Sequence, residues 1–293
     1  MVLSKRGMIA CLAALVMLLG VSGCMAAAAA NKPKADTTAS VQPTENVNQE
    51  TAEYLKAARG DLKLIDEIMA DKDLSLLEED TGSDEDVTPE MLAKYEAILT
   101  GYTDRIHTAL DDIAGRTAPN QPDIAKFQAS ETEAFKTLDS ILQEYNQTLS
   151  YTGTFLEVYD SLSSLGSLGE TDDLQAIYDA LSTAIGDAIQ KLQSAEVPSF
   201  IESFNKDFID VLQQMNDAVY YTLSAAATDD PLRSDAGEYL LEILGRRADK
   251  IGQECTTDLT DREQKLQEDA LAVQKTCDGL KSWLDANIAS FGS

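Results

Sequence analysis

Residues 239–288 read YLLEILGRRADKIGQECTTDLTDREQKLQEDALAVQKTCDGLKSWLDANI. The stretch contains no proline, and its apolar positions keep one phase: Leu244, Ala248, Ile251, Cys255, Leu259, Leu266, Ala270, Val273, Cys277, Leu280 and Leu284. They recur at steps of three and four, the period of one face of an α-helix. Arg262 is the one polar member of the series. The rhythm is about 11 residues, or ~3.67 per turn, which a nearly straight helix satisfies. An unbroken helix over these residues would run roughly 75 Å at about 1.5 Å per residue. A competing reading breaks the segment at Thr256-Thr257-Asp258, with Thr260 and Glu263 as the capping box of a new helix. Continuity is the expectation adopted, because a new helix would keep the old phase only by chance.

The same period runs through the chain upstream. Tyr54, Ala58, Leu62, Ile65 and Met69 mark a helix from about Gln49 to Asp71. Thr88-Pro89-Glu90 opens another. Threonine caps a helix, and proline suits the first turn, where its missing N–H has no intrahelical partner to lose. Leu92, Tyr95, Leu99, Tyr102, Ile106, Leu110 and Ile113 follow, and Pro119 and Pro122 stop the helix. A third helix runs from about Asp123 to Leu165, with Phe127, Ala134, Leu138, Leu142, Tyr145, Leu149, Leu156 and Tyr159 on one face. SLGSLG at 164–169 reads as a loop. A fourth helix follows Thr171, and Val197-Pro198 turns the chain into a fifth that begins near Phe200. Asp229-Asp230-Pro231 ends that one. Segments 109–127 and 188–204 share the pattern of helix end, proline turn and apolar helix start. The expected fold is all-α: an elongated bundle of about five to six long helices with a long C-terminal helix.

Charge narrows the function classes. The 293 residues carry 23 Lys+Arg against 51 Asp+Glu, a formal net charge of −28. A surface of that sign repels phosphate backbones, so nucleic acid is excluded as a partner. It equally argues against a basic amphipathic helix lying on anionic lipid.

The N-terminus supplies an address. Lys5 and Arg6 form a positive head, and Met8 to Leu19 is an apolar run of about a dozen residues without a charge. A membrane-spanning helix needs roughly 17–25 such residues; a run of about 7–15 behind a positive head is the pattern of a signal peptide. Val21-Ser22-Gly23-Cys24 comes next. This resembles the lipobox of bacterial lipoproteins, with Val21 where leucine is usual. The resemblance covers the first 24 residues. It implies cleavage before Cys24 and attachment of acyl chains at that cysteine, which together anchor far better than a single chain. The expected organisation is a signal peptide over 1–23, the lipidated Cys24 and a flexible tether over 24–48, and a helical bundle domain over 49–293. Pro33, Pro43 and a run of Ala, Thr and Asn leave the tether too little apolar surface to offset the entropy of ordering.

Reactive constellations are not apparent. His107 is the only histidine, with Asp104 and Asp111 on its helical face. A carboxylate-bridged di-iron bundle needs two Glu-x-x-His arrangements, so His107 reads as a surface residue and no metal ligands are assigned. Phosphate-binding glycine loops are absent, and the acidic run 78–86 lacks the spacing of a calcium loop. Tyr220, Tyr221 and Trp283 are read as packing residues between helices. No catalytic residue and no cofactor is expected, and Cys24 is the one assigned site residue. The expected function is a noncatalytic binding or scaffolding module, held extracytoplasmically on a bacterial membrane by its lipid. Its partners are the membrane and an envelope protein or wall component. The alternative is a solute- or cation-binding lipoprotein with a cleft between helices.

Cys255 and Cys277 invite a disulfide in an exported protein. On one helix they would lie roughly 33 Å apart, whereas a disulfide needs Cα atoms within about 7 Å. Denatured, unreduced protein is therefore expected to react with a thiol reagent at both cysteines. Failure of both to react would establish a disulfide.

Overall fold

The computed structural model describes residues 45–71, 88–164, 174–228 and 231–291. Among them are six α-helices, one 3-10 turn and no strand: α1 Glu45–Met69, α2 Pro89–Gly115, α3 Pro122–Ser164, α4 Leu174–Ser194, the turn Ser199–Ile201, α5 Glu202–Ala227 and α6 Pro231–Phe291. None of these helices is long and apolar enough to cross a membrane.

The C-terminal segment is one helix of 61 residues. Every apolar member of the Leu244–Leu284 series is buried. The alternative break does not form, because the threonines that could have capped a new helix turn their hydroxyls back along the old one. Thr256 Oγ1 donates to Gly252 O at 2.9 Å, Thr257 to Gln253 O at 3.2 Å and Thr260 to Thr256 O at 2.9 Å. Such bonds satisfy the hydroxyl without interrupting the helix.

Upstream boundaries follow the punctuation of the sequence, with two corrections. At α2, the Met91 amide donates to Thr88 Oγ1 at 3.2 Å, as a cap requires. Helix α1 starts at Glu45, inside the 24–48 segment assigned to the tether; Pro43 is the last helix breaker before it, so nothing stops the helix reaching back. The chain after Pro198 first makes the 3-10 turn Ser199–Ile201, and α5 starts only at Glu202. Residues 165–173 and 72–87, which include the SLGSLG loop and the acidic run, lie outside the described residues, as do the signal peptide and Cys24.

The chain divides into two compact units, each with its own core. The first, here the Glu131 unit, contains α1, residues 97–115 of α2, 122–143 of α3 and 264–291 of α6. The buried side chains of this unit include Leu55, Ala58, Leu62 and Ile65 of α1, Ile106 and Ile113 of α2, Phe135 and Leu138 of α3, and Val273 and Leu284 of α6. Ion pairs flank α1. Arg59 pairs with Asp285 and Lys281 with Asp66 on the α6 side, and Glu67 meets Arg105 of α2 at 2.6 Å. Trp283 stacks obliquely on Phe127, ring centroids 5.1 Å apart, as a packing residue should.

The second, here the Tyr151 unit, contains residues 88–96 of α2, 144–164 of α3, α4, α5 and 231–263 of α6. Its centre is aromatic. Phe155 lies 5.7 Å from Phe204 and 5.3 Å from Phe208. The Tyr151 hydroxyl donates to Asn205 Oδ1 at 3.1 Å, and Asn205 Nδ2 donates to Leu192 O at 3.3 Å, near the end of α4. One asparagine thus satisfies a buried hydroxyl and a terminal helix carbonyl together. Arg262, the polar member of the α6 series, forms a two-pronged pair with Glu144 of α3.

Tyr220 and Tyr221 correct the expectation of a packing seam. They are 58% and 40% exposed. The buried row of α5 passes through Val211, Ala218 and Ala225, which leaves Tyr220 on the opposite face and Tyr221 on its flank. Tyr220 still meets Tyr178 of α4 edge-on at 5.4 Å.

Helices α5 and α6 approach most closely at Gly237. A Cβ there would overlap the Thr222 hydroxyl and come within 3.1 Å of the Thr222 Cα. Gly186 of α4, by contrast, faces open space. Gly186→Ala is expected to stabilise by about 0.5–1 kcal/mol through helix propensity. Gly237→Ala should destabilise by about 1–3 kcal/mol despite the same propensity gain, because the added methyl overpacks the crossing. Urea unfolding of the two variants checks both signs.

Candidate functional site

The densest polar cluster among the described residues sits inside the Glu131 unit, and the α2–α3 turn builds it. Helix α2 ends at Gly115, leaving carbonyls without helical partners. Gln128 of α3 reaches back to them: its Nε2 donates to Ile113 O at 2.9 Å and approaches Arg116 O at 3.5 Å. That fixes Arg116 at the mouth of the turn. Its Nη2 donates to Asp61 of α1 at 2.6 Å, and both side chains are only 16% exposed. The guanidinium also lies over the Tyr54 ring, 5.5 Å from the centroid.

Behind this pair stands Glu131. It follows Phe127 by one turn and precedes Leu138 by two, so the phase that buries those residues buries it as well. It is 0% exposed, and no N–H or O–H donates to either of its carboxylate oxygens. The Tyr54 hydroxyl and Arg116 Nη1 are likewise buried without a partner. Burial first, and the negative charge of Asp61 second, push the Glu131 carboxyl up to about 8, against the opposing pull of Arg116. Asp61 is also raised, by burial above all, with Arg116 acting against it. Tyr54 is pushed up to about 12 by burial and by the Glu131 charge. One cation serves two acids. The arrangement that satisfies it is an ionised Asp61 held by Arg116 and a protonated Glu131 whose O–H donates to Asp61, since a pair of ionised carboxylates has no proton to share.

Two open clefts flank the cluster within the same unit. One of about 350 Å³ is lined by Asp61, Leu64, Glu67, Arg105, Thr108 and Asp112. The other, of about 590 Å³, is lined by Glu50, Glu53, Tyr54, Arg116, Pro119 and Asn120 among others. Both mix cations with carboxylates, a lining suited to a zwitterionic or hydrogen-bonding solute.

His107 lies elsewhere in the unit. Its Nε2 faces Asp139 Oδ1 of α3 at 3.1 Å, so its carboxylate partner comes from the neighbouring helix. The Asp104 backbone carbonyl accepts from Thr108 Oγ1 at 2.9 Å. Among the described residues no three His, Cys, Asp or Glu side chains are placed to hold a metal ion. Cys255 and Cys277 are buried thiols outside any disulfide, one in each unit. Burial pushes the Cys277 thiol up to about 12, which makes it a poor nucleophile at neutral pH. Cys24 lies outside the described residues.

The buried cluster was missed on the sequence because Glu131 was passed over in its own stripe. A glutamate one turn from Phe127 and in phase with Leu138 was the available signal. Its partners carry no signal at all: Asp61 and Arg116 are 55 positions apart.

Arg116→Gln should leave Asp61 a largely buried, unpaired charge and cost about 2–4 kcal/mol in urea unfolding. Adding Asp61→Asn to that variant should recover at least half of the loss, because both charges are then gone. Strict additivity of the two substitutions would show that they do not interact. No protein family, no curated protein and no solved structure matches this chain.

Proposed function

We propose that this chain is a bacterial lipoprotein, anchored through Cys24 to the outer face of a membrane. There it serves as a noncatalytic binding or scaffolding module for an envelope protein or wall component. The observation that carries the anchoring is the order of features at the N-terminus: a positive head, a short apolar run, the small pair Ser22-Gly23, then cysteine. The binding role is supported by the distribution of exposed apolar side chains. Among the described residues, all the exposed large hydrophobics but Leu271 fall at the end of α5 and the start of α6: Tyr220, Tyr221, Tyr239, Leu240 and Ile243. Tyrosine and branched aliphatic side chains of this kind supply contact area at low entropic cost in protein interfaces. A second reading, a solute-binding lipoprotein, is favoured by the two clefts, one lined by Asp61 and Arg105 and the other by Tyr54 and Arg116.

Cys24→Ala is expected to abolish acyl labelling and release a folded domain to the soluble fraction, or leave an uncleaved precursor. A variant that fractionates and processes like the native chain would remove the lipoprotein reading. A photo-crosslinker at Tyr221 or Leu240 in intact cells should capture one specific partner, while the same group at Lys126, on another exposed surface, should not. Solute binding predicts instead a ligand-dependent rise in melting temperature across amino acids and sugars, growing with ligand concentration.

A further inference from the structure

We propose that Glu131 is a pH-operated latch on α1: its protonated carboxyl donates across the core to Asp61 and holds α1 in place, and loss of the proton loosens that helix. The geometry is that of a fully buried acid on α3 whose oxygens receive no donor from the protein. It is faced from α1 by Tyr54 and Asp61, from the end of α2 by Arg116, and from α6 by Cys277. Asp112 of α2 adds a further negative charge that acts on Asp61. Arg116 is the one cation in this set, and its short bond to Asp61 at 2.6 Å commits it there. A second negative charge on Glu131 therefore meets no donated hydrogen bond, and Arg116, bonded through Nη2 to Asp61, offers it only the undirected pull of its charge. The cost falls on α1, because Asp61 and Tyr54, the residues that Glu131 would then repel or leave unsatisfied, both belong to that helix.

The pH window follows from the shift. An unfolded glutamate titrates near about 4.3, and the folded carboxyl is raised to about 8. Between those values the native protein holds a proton that the unfolded chain has released. Stability from this group is thus complete below about pH 4.3 and is lost as pH rises towards 8, by up to about tenfold in the unfolding constant per pH unit. Above about 8 the dependence levels off.

Glu131→Gln separates this from the general self-repulsion of an acidic chain. Glutamine keeps the size and offers Asp61 an N–H, but it cannot ionise. Both proteins are unfolded in urea at pH 5.5 and 8.5. Hydrogen exchange is followed at the amides of α1 (Leu55, Leu62) and α3 (Leu138), corrected for intrinsic exchange. The expected result is that the native unfolding constant, divided by that of E131Q, rises at least about tenfold between the two pH values. The α1 amides of the native protein alone should lose protection relative to α3. A carboxyl-carbon NMR titration of the native protein should place the Glu131 midpoint above pH 7, and it decides the matter should E131Q fail to fold. Parallel pH profiles, α1 amides no more labile than α3 amides at pH 8.5, or a Glu131 midpoint below pH 6 would each overturn the latch.

Discussion

The single apolar row along α6 is the constraint on which both cores rest. From Leu244 to Leu259 it lies in the Tyr151 unit, and from Leu266 to Leu284 in the Glu131 unit. A rhythm near 3.67 residues per turn lets one helix present the same face over that length. A step out of phase would turn the remaining leucines towards water. Each buried side chain of this kind contributes about 1.5–3 kcal/mol relative to exposure, so the row is worth more than any ion pair in the molecule. Arg262, at the one polar position of the row, does not break this logic. Its side chain is 32% exposed and meets Glu144 two-pronged, so the charge is matched without full removal from water.

Helix α3 carries most of the buried polar chemistry, and the two units handle it differently. In the Tyr151 unit several buried polar groups find partners, although Asn216 Oδ1 receives no donor. Thr148 and Thr152 return their hydroxyls to Glu144 O at 2.8 Å and Thr148 O at 2.7 Å, and Tyr151 is met by Asn205. In the Glu131 unit the count does not close with all groups ionised. Two acids, one guanidinium and one tyrosine share the interior, no donor reaches Glu131, and burial raises its carboxyl to about 8. A buried polar network with a missing member is costly, and here the cost makes the charge state a property of the fold.

The surfaces of the molecule are managed by sign rather than by strength. With 51 acidic side chains against 23 basic ones, some cations bridge helices while others pair within one. Arg59, Arg105 and Lys281 bind carboxylates across helix pairs of the Glu131 unit, and Lys191 and Arg247 do so in the Tyr151 unit. Exposed pairs contribute roughly 0–1 kcal/mol each. Their value lies in choosing which helix faces meet, while burial supplies the stability. The aromatic and aliphatic side chains left outside at the α5 end and the α6 start stand apart from this pattern.

Helix positions were legible in the residues themselves. Thr88-Pro89 marks the start of α2, Pro119 and Pro122 mark its end, and the phase of residues 244–284 marks one uninterrupted α6 with no disulfide between Cys255 and Cys277. These depend on neighbours three or four positions away, which any sequence displays. The charge state of Glu131 depends on Asp61, Arg116 and Tyr54. The exposure of Tyr220 and Tyr221 depends on which flank of α5 its neighbours cover, and the division into two cores depends on how four or more helices share their faces. Those outcomes were decided by tertiary packing, because desolvation and charge pairing act between groups that lie far apart along the chain and meet only once the helices have assembled.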